Sequence, residues 1–230
     1  MIATFPMYDQ PSLQPANDAL WAQILAALPF SAPGHLTRAD DLMALWTSEN
    51  LLIGHTCGLV LARPLRDRVH YVATPDFGIA GCPPGYYRSS LVHRVGETPA
   101  PGARLAWNDD DSQSGWGAAQ GYGFAPTLRT GAHASSLAAV KNGKADVALI
   151  DTHTLTILGV PKGLVVAELT SPTPAPPLIT AREAWVAPLR EALTRAFEAL
   201  PEEARKKLRL TGFPVLEVAQ YYAVPQPPAP

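Results

Sequence analysis

Proline divides this chain more finely than any other feature. Twenty-four of its 230 residues are Pro, about twice the usual share, and they fall mostly between apolar runs. A proline inside a helix or a central strand removes a backbone hydrogen bond. The chain is therefore restricted to short elements joined by frequent turns. Its longest apolar runs, such as Val147 to Ile150, are too short to span a bilayer.

Between these breaks the hydrophobic pattern switches between the two regular periods. Ile2–Phe5, Leu51–Ile53, Val69–Thr74, Tyr86–Arg94, Arg104–Trp107, Val147–Ile150 and Leu164–Leu169 read as strands. Asn17–Leu28, Asp40–Trp46, Leu59–Ala62, Gly115–Tyr122 and Ala134–Asn142 read as helices. Arg182–Leu200 is the longest amphipathic stretch, and Pro201 opens a shorter helix after it. Gly78–Gly85 is a loop, Ser171–Pro177 a Pro-rich connection, and Pro225–Pro230 a loose tail. Alternating strands and helices predict an α/β fold with mixed, mainly parallel sheets covered on both faces. Two such sheets joined by Pro-rich crossovers would form two lobes, and the cleft between them is the default ligand site.

The chain is 47% hydrophobic and 17% charged, which suffices for a core and excludes wholesale disorder. A net charge of -2 with no basic block argues against nucleic acid held through phosphates. Cys57 and Cys82 are the only cysteines. Two free thiols and a single bridge are both compatible with the sequence. A bridge would close a loop of about 25 residues, worth roughly 3 kcal/mol. Residues 1–7 carry no basic segment and no long apolar stretch, so they do not read as a signal peptide. The sequence suits a cytoplasmic protein, or a periplasmic one whose leader has been removed.

Four polar strand ends could hold an anion. The strongest is Asp109-Asp110-Asp111-Ser112-Gln113-Ser114-Gly115-Trp116, between an apolar strand and a helix. Hydroxyls beside free N–H groups at a helix start suit a phosphate, phosphonate or carboxylate. Ser112 or Ser114 could instead serve only as an N-cap. Leu51–Gly58 repeats the pattern, with Thr56 in its turn. His133, ahead of the helix to Asn142, could donate to an oxyanion. Asp151, leaving the most apolar strand, could meet a ligand or cap the next helix. No G-x-S-x-G elbow, GxGxxG or P-loop is present, and no His/Cys/Glu cluster has metal-ligand spacing. No catalytic residue, metal site or cofactor is therefore expected.

These segments resemble a known family. Pro6–Asp9 is similar to its first strand end, Gly54–Gly58 to its polar turn, and Gly81–Ser89 to a subfamily signature. Asp111–Gly115 is similar to the Ser-Thr-Ser-Gly turn that holds an oxyanion, with Gln113 where the family has Thr. Gly131–His133 followed by Ala139–Ala148 resembles its His-bearing helix and next strand. Over residues 1 to 222 the chain looks like the phosphate/phosphite/phosphonate-binding proteins of ABC transporters, in the type II periplasmic-binding-protein superfamily. The resemblance implies a two-lobed fold, with one lobe over 1–93 and 178–230 and the other over 94–177. It implies a monomeric, non-enzymatic solute-binding component, closing by hinge motion on a small anionic or zwitterionic solute and serving an ABC permease. Ser112, Gln113, Ser114 and His133 would contact the anion, Asp151 an amino group, and Tyr8 and Thr56 would line the first lobe. A cytoplasmic sensor, or an enzyme acting on a phosphorylated metabolite, is the alternative on the same fold.

Overall fold

The computed structural model describes residues 1–230. The chain divides into two compact units, Met1–Gly85 with Pro174–Ala223 and Tyr86–Thr173 with Val224–Pro230. The backbone passes between them three times.

In the first unit the strands β1 (Ile2–Thr4), β2 (Leu51–His55), β3 (His70–Ala73) and β11 (Leu178–Thr180) form one sheet in the order β1-β2-β11-β3. The pair β1–β2 is parallel, and β11 runs antiparallel to both β2 and β3. Helices α1 (Gln14–Ala27), α6 (Val186–Ala199) and α7 (Glu202–Leu208) bury Leu20, Trp21, Ile24, Leu189, Leu193, Ala196 and Leu208 in one core with Leu52 and Val72. A second core gathers Trp46 of α2 (Leu42–Trp46), Val60 and Leu61 of α3 (Gly58–Ala62) and Tyr221 of α8 (Ala219–Tyr222) around Leu51, Tyr71 and Ile179. Every residue of β2 and β11 is buried, as strands covered on both faces require.

The second unit holds β5 (Ser89–Arg94), β6 (Arg104–Trp107), β7 (Ala125–Arg129), β8 (Val147–Asp151) and β9 (Leu164–Leu169) in the order β7-β6-β8-β5-β9. The pairs β6–β7 and β6–β8 are parallel, while β5 runs antiparallel to β8 and β9. Helix α4 (His133–Lys141) and helix α5 (Thr152–Leu158) contribute Leu137, Val140 and Leu155 to one core with Val92, Ala148 and Ile150. Another core collects Leu91, Leu105, Val147 and Leu149 under Trp107, Trp116 and Ala119. Two short strands, β4 (Tyr86–Tyr87) and β10 (Thr173–Pro174), form a separate ladder.

The sheets are mixed, as expected, but antiparallel ladders take a larger share than a mainly parallel reading allows. The cause is β11, hidden in the sequence behind the Pro-rich connection, and β5, which enters its sheet between β8 and β9. The first crossover lies at 85/86 and not near 93, because Ser89–Arg94 is an inner strand of the second sheet. Gly85 sits at that crossover with φ of 77°, and a Cβ there would lie 2.9 Å from Pro214. The tail after Ala223 groups with the second unit and is not loose: the Trp116 Nε1–H donates to Pro228 O at 2.7 Å. The expected helix over 115–122 is only the 3-10 turn Gly117–Ala119, since Gly115, Gly117, Gly121 and Gly123 weaken any longer helix. Cys57 and Cys82 form no disulfide.

Candidate functional site: an oxyanion corner

The parallel strands β7, β6 and β8 are neighbours, so their carboxyl ends share one edge of the sheet, where α/β folds commonly bind ligands. Three polar segments leave that edge: Asn108–Gly115 after β6, Thr130–Ala132 after β7, and Asp151 into α5. The backbone ties the first two together. Thr130 N donates to Trp107 O at 2.8 Å and Gly131 N to Asn108 O at 2.9 Å. The Thr130 hydroxyl also reaches Trp107 O at 3.0 Å and the Ser136 hydroxyl at 2.7 Å.

Within this frame Ser112, Gln113 and Ser114 are all buried. Ser112 Oγ accepts from Gly115 N at 3.0 Å, and Ser112 O accepts from Gly117 N at 2.9 Å, folding the segment into a tight turn. A Cβ on Gly115 would run into the Asn108 carboxamide oxygen, so the close approach itself requires glycine. Ser114 Oγ lies 3.0 Å from His133 Nε2. His133 is the first residue of α4, whose preceding Ala132 supplies no capping side chain.

Burial pushes the His133 pKa from 6.5 down to about 4, so the ring is neutral at physiological pH. Its Nδ1 is shut off from solvent and has no hydrogen-bond partner. Either tautomer leaves a donor in hand. If Nε2 accepts from Ser114, then Nδ1–H is unengaged; if Nε2–H donates, the Ser114 hydroxyl proton is unengaged. The corner thus offers uncharged, directional donors, which suits an oxyanion.

Asp109 and Asp110, whose charges would repel an anion, are engaged by other side chains. Arg129 pairs with Asp109 at 2.7 Å and with Asp110 at 3.5 Å, and the Trp107 indole donates to Asp110 at 2.8 Å. Gln113 directs its NH₂ to Thr173 Oγ1 at 2.9 Å. Asp151 stands at the same sheet edge, and its Oδ1 accepts from Thr154 N at 2.9 Å as the N-cap of α5. No group of three or more His, Cys, Asp or Glu side chains gathers as a metal site would require.

Tyr8 and Thr56 share a corner of the first unit, around His55. The Tyr8 backbone adopts φ of 62°, and its ring meets His55 and Phe77 edge-on at 5.9 and 5.0 Å. His55 Nε2–H donates to Pro176 O at 3.1 Å. Burial lowers its pKa to about 4, against the opposing effect of bonds to the Pro176 and Met7 backbone. Thr56 N donates to Pro177 O at 3.0 Å, while its fully buried hydroxyl has no partner. The sequence reading did not single out Asn108 or Thr130, which shape the oxyanion corner. Asn108 directly follows the apolar strand Arg104–Trp107, a signal that Thr130, after the mostly exposed β7, lacks.

A family model described as the periplasmic substrate-binding protein of phosphonate ABC transporters matches residues 100–221, just over half of the chain. This protein belongs to that family. Its members are the solute-binding components of ABC uptake systems. No curated protein matches the chain. Among solved structures, PhnD1 from Prochlorococcus marinus in complex with methylphosphonate is 13% identical with a TM-score of 0.73, covering 96% of this chain and 93% of its own. A binding-protein component of an ABC phosphonate transporter from Pseudomonas aeruginosa is 16% identical with a TM-score of 0.74, covering 96% of this chain and 83% of its own. A Xanthomonas citri protein bound to ATP is 16% identical with a TM-score of 0.67, covering 97% and 95%. These likenesses establish the two-lobed periplasmic-binding-protein fold. The matched segment contains the whole oxyanion corner, from Asn108 to His133, together with Asp151.

Proposed function

We propose that this phosphonate-family binding protein captures a small alkylphosphonate and releases it unaltered to an ABC permease, acting as a monomer in the periplasm. The observation that carries the solute class is the Ser114–His133 pair beside the Ser112–Gly115 turn. It supplies neutral donors at a strand edge and no catalytic nucleophile–base–acid series. In this reading Ser112, Ser114 and His133 bind the phosphonyl oxygens and Gln113 braces the turn. With one Asp151 oxygen engaged by α5, an alkylphosphonate is favoured over an aminophosphonate. The methylphosphonate bound to the Prochlorococcus protein supports the same solute class.

Calorimetric titration with methylphosphonate, an aminophosphonate, phosphate, phosphite and sulfate tests the proposal. Methylphosphonate should bind most tightly and be recovered chemically intact. Replacing Ser112 and Ser114 together with Ala should weaken it at least about tenfold, the loss of more than one hydrogen bond to a charged group. Unchanged affinity in a folded double variant would reject this corner as the site.

A further inference from the structure

The tail that the sequence presents as loose ends on the residue that closes the oxyanion turn. Val224–Pro230 groups with the second unit although the chain up to Ala223 belongs to the first. Val224 is buried. Farther along, Pro228 O receives the Trp116 indole N–H at 2.7 Å. Trp116 directly follows Gly115, is 8% exposed, and packs against Trp107 with ring centroids 5.7 Å apart. Trp107 in turn holds Asp110 at the front of the same turn. The binding turn is therefore anchored at both ends by tryptophans, and one of them is seated by the tail.

The tail's chemistry suits that role. Four of its last six residues are proline. Such a segment has little conformational freedom to lose on docking, and its exposed carbonyls are good acceptors for an indole N–H on an aromatic surface. Releasing it would take the acceptor from the Trp116 indole N–H and loosen the hold on its ring. The backbone of Gly115 and the Ser112 and Ser114 hydroxyls would then move with it.

We propose that Val224–Pro230 is a strap that seats Trp116 as a positioning residue for the oxyanion turn, so that tail docking and solute binding are coupled. This rests on the phosphonate reading above. Coupling of this kind is reciprocal: if the docked tail strengthens solute binding, bound solute holds the tail down by the same factor.

Two measurements on the full chain, Trp116→Phe, a chain ending at Ala223 and the combined variant test it. The first needs no solute. The indole N–H resonance of Trp116, assigned by its disappearance in Trp116→Phe, should shift in the shortened chain. The second is calorimetry with methylphosphonate. Trp116→Phe keeps the ring but loses the N–H, and should weaken binding roughly fivefold, about one hydrogen bond. The shortened chain should weaken it similarly. The combined variant should be no worse than the weaker single one, because both break the same contact. Wild-type affinity in the shortened chain overturns the strap alone, as does an indole resonance that ignores removal of the tail. Failure of the wild-type chain to bind methylphosphonate overturns the functional reading and the strap with it.

Discussion

Two histidines, His55 buried and His133 half-buried, make the most instructive comparison in this molecule. His55 ends β2 in the first unit, and His133 opens α4 in the second. Burial pushes both down to about 4, so both rings are neutral at physiological pH. Their partners differ. His55 is closed in by the rings of Phe5 and Tyr8 and donates to a backbone carbonyl. His133 faces a serine hydroxyl and keeps Nδ1 without a partner. A lowered pKa thus reports desolvation in both places, and what differs between the two rings is their hydrogen-bond partners.

The largest expected effect separates them directly. His55→Ala removes a donor from Pro176 O and leaves a gap among aromatic rings. It should cost about 3 kcal/mol, lowering Tm by roughly 6–12 °C for a chain of this size. His133→Ala should leave Tm within about 2 °C while weakening methylphosphonate about tenfold. Thermal melts and calorimetry on both variants check this crossed pattern. If His133→Ala melts as early as His55→Ala, the distinction between the two corners is lost.

The contrast also marks what the sequence could show. Ser112, Ser114 and His133 stood out as candidates because polar residues ahead of a helix start have few uses besides capping and anion binding. Their convergence was not legible. It depends on Gly131 N meeting Asn108 O and on Thr130 reaching Ser136, pairings that only the neighbouring of β6 and β7 creates. The strand β7 itself, Ala-Pro-Thr-Leu-Arg, was not assigned from sequence: Pro126 is tolerated only at a sheet edge, which is where β7 lies. In the same way β11 lay hidden behind Ser171–Pro177, although Leu178–Thr180 is wholly buried. Asp151 had two readings, a solute contact and a helix cap. Its capping role, the plainer of two readings, is the one the geometry displays.

A proton titration sharpens the comparison further. Between about pH 6.5 and pH 4 the unfolded chain takes up protons on both histidines that the folded chain refuses. The unfolded state then binds more protons, so stability falls as pH falls through this window. His55→Gln should remove part of that slope, read from denaturant midpoints across the window. Solute distinguishes the two rings. An oxyanion next to His133 favours its charged form, so saturating methylphosphonate should raise the His133 pKa by about one unit and leave His55 unmoved. Imidazole resonances followed from pH 7 to 3.5 report both values. A rise at His55 instead would place the anion in the other corner.

The smallest effect concerns the aspartates beside the oxyanion turn. Arg129 pairs with Asp109 and Asp110, but the arginine is 54% exposed and Asp109 48%, where ion pairs contribute little. Arg129→Ala should therefore leave stability nearly unchanged. It would also uncover carboxylates near a bound anion, and that repulsion is long-ranged only at low ionic strength. Methylphosphonate affinity should fall by no more than about twofold in 10 mM salt, where the screening length is about 30 Å. It should return to the wild-type value near 1 M, where the length is about 3 Å. A tenfold loss that persists in high salt would mean Arg129 touches the solute itself. The site would then rely on a full positive charge, and the neutral-donor account of the His133 corner would have to be replaced.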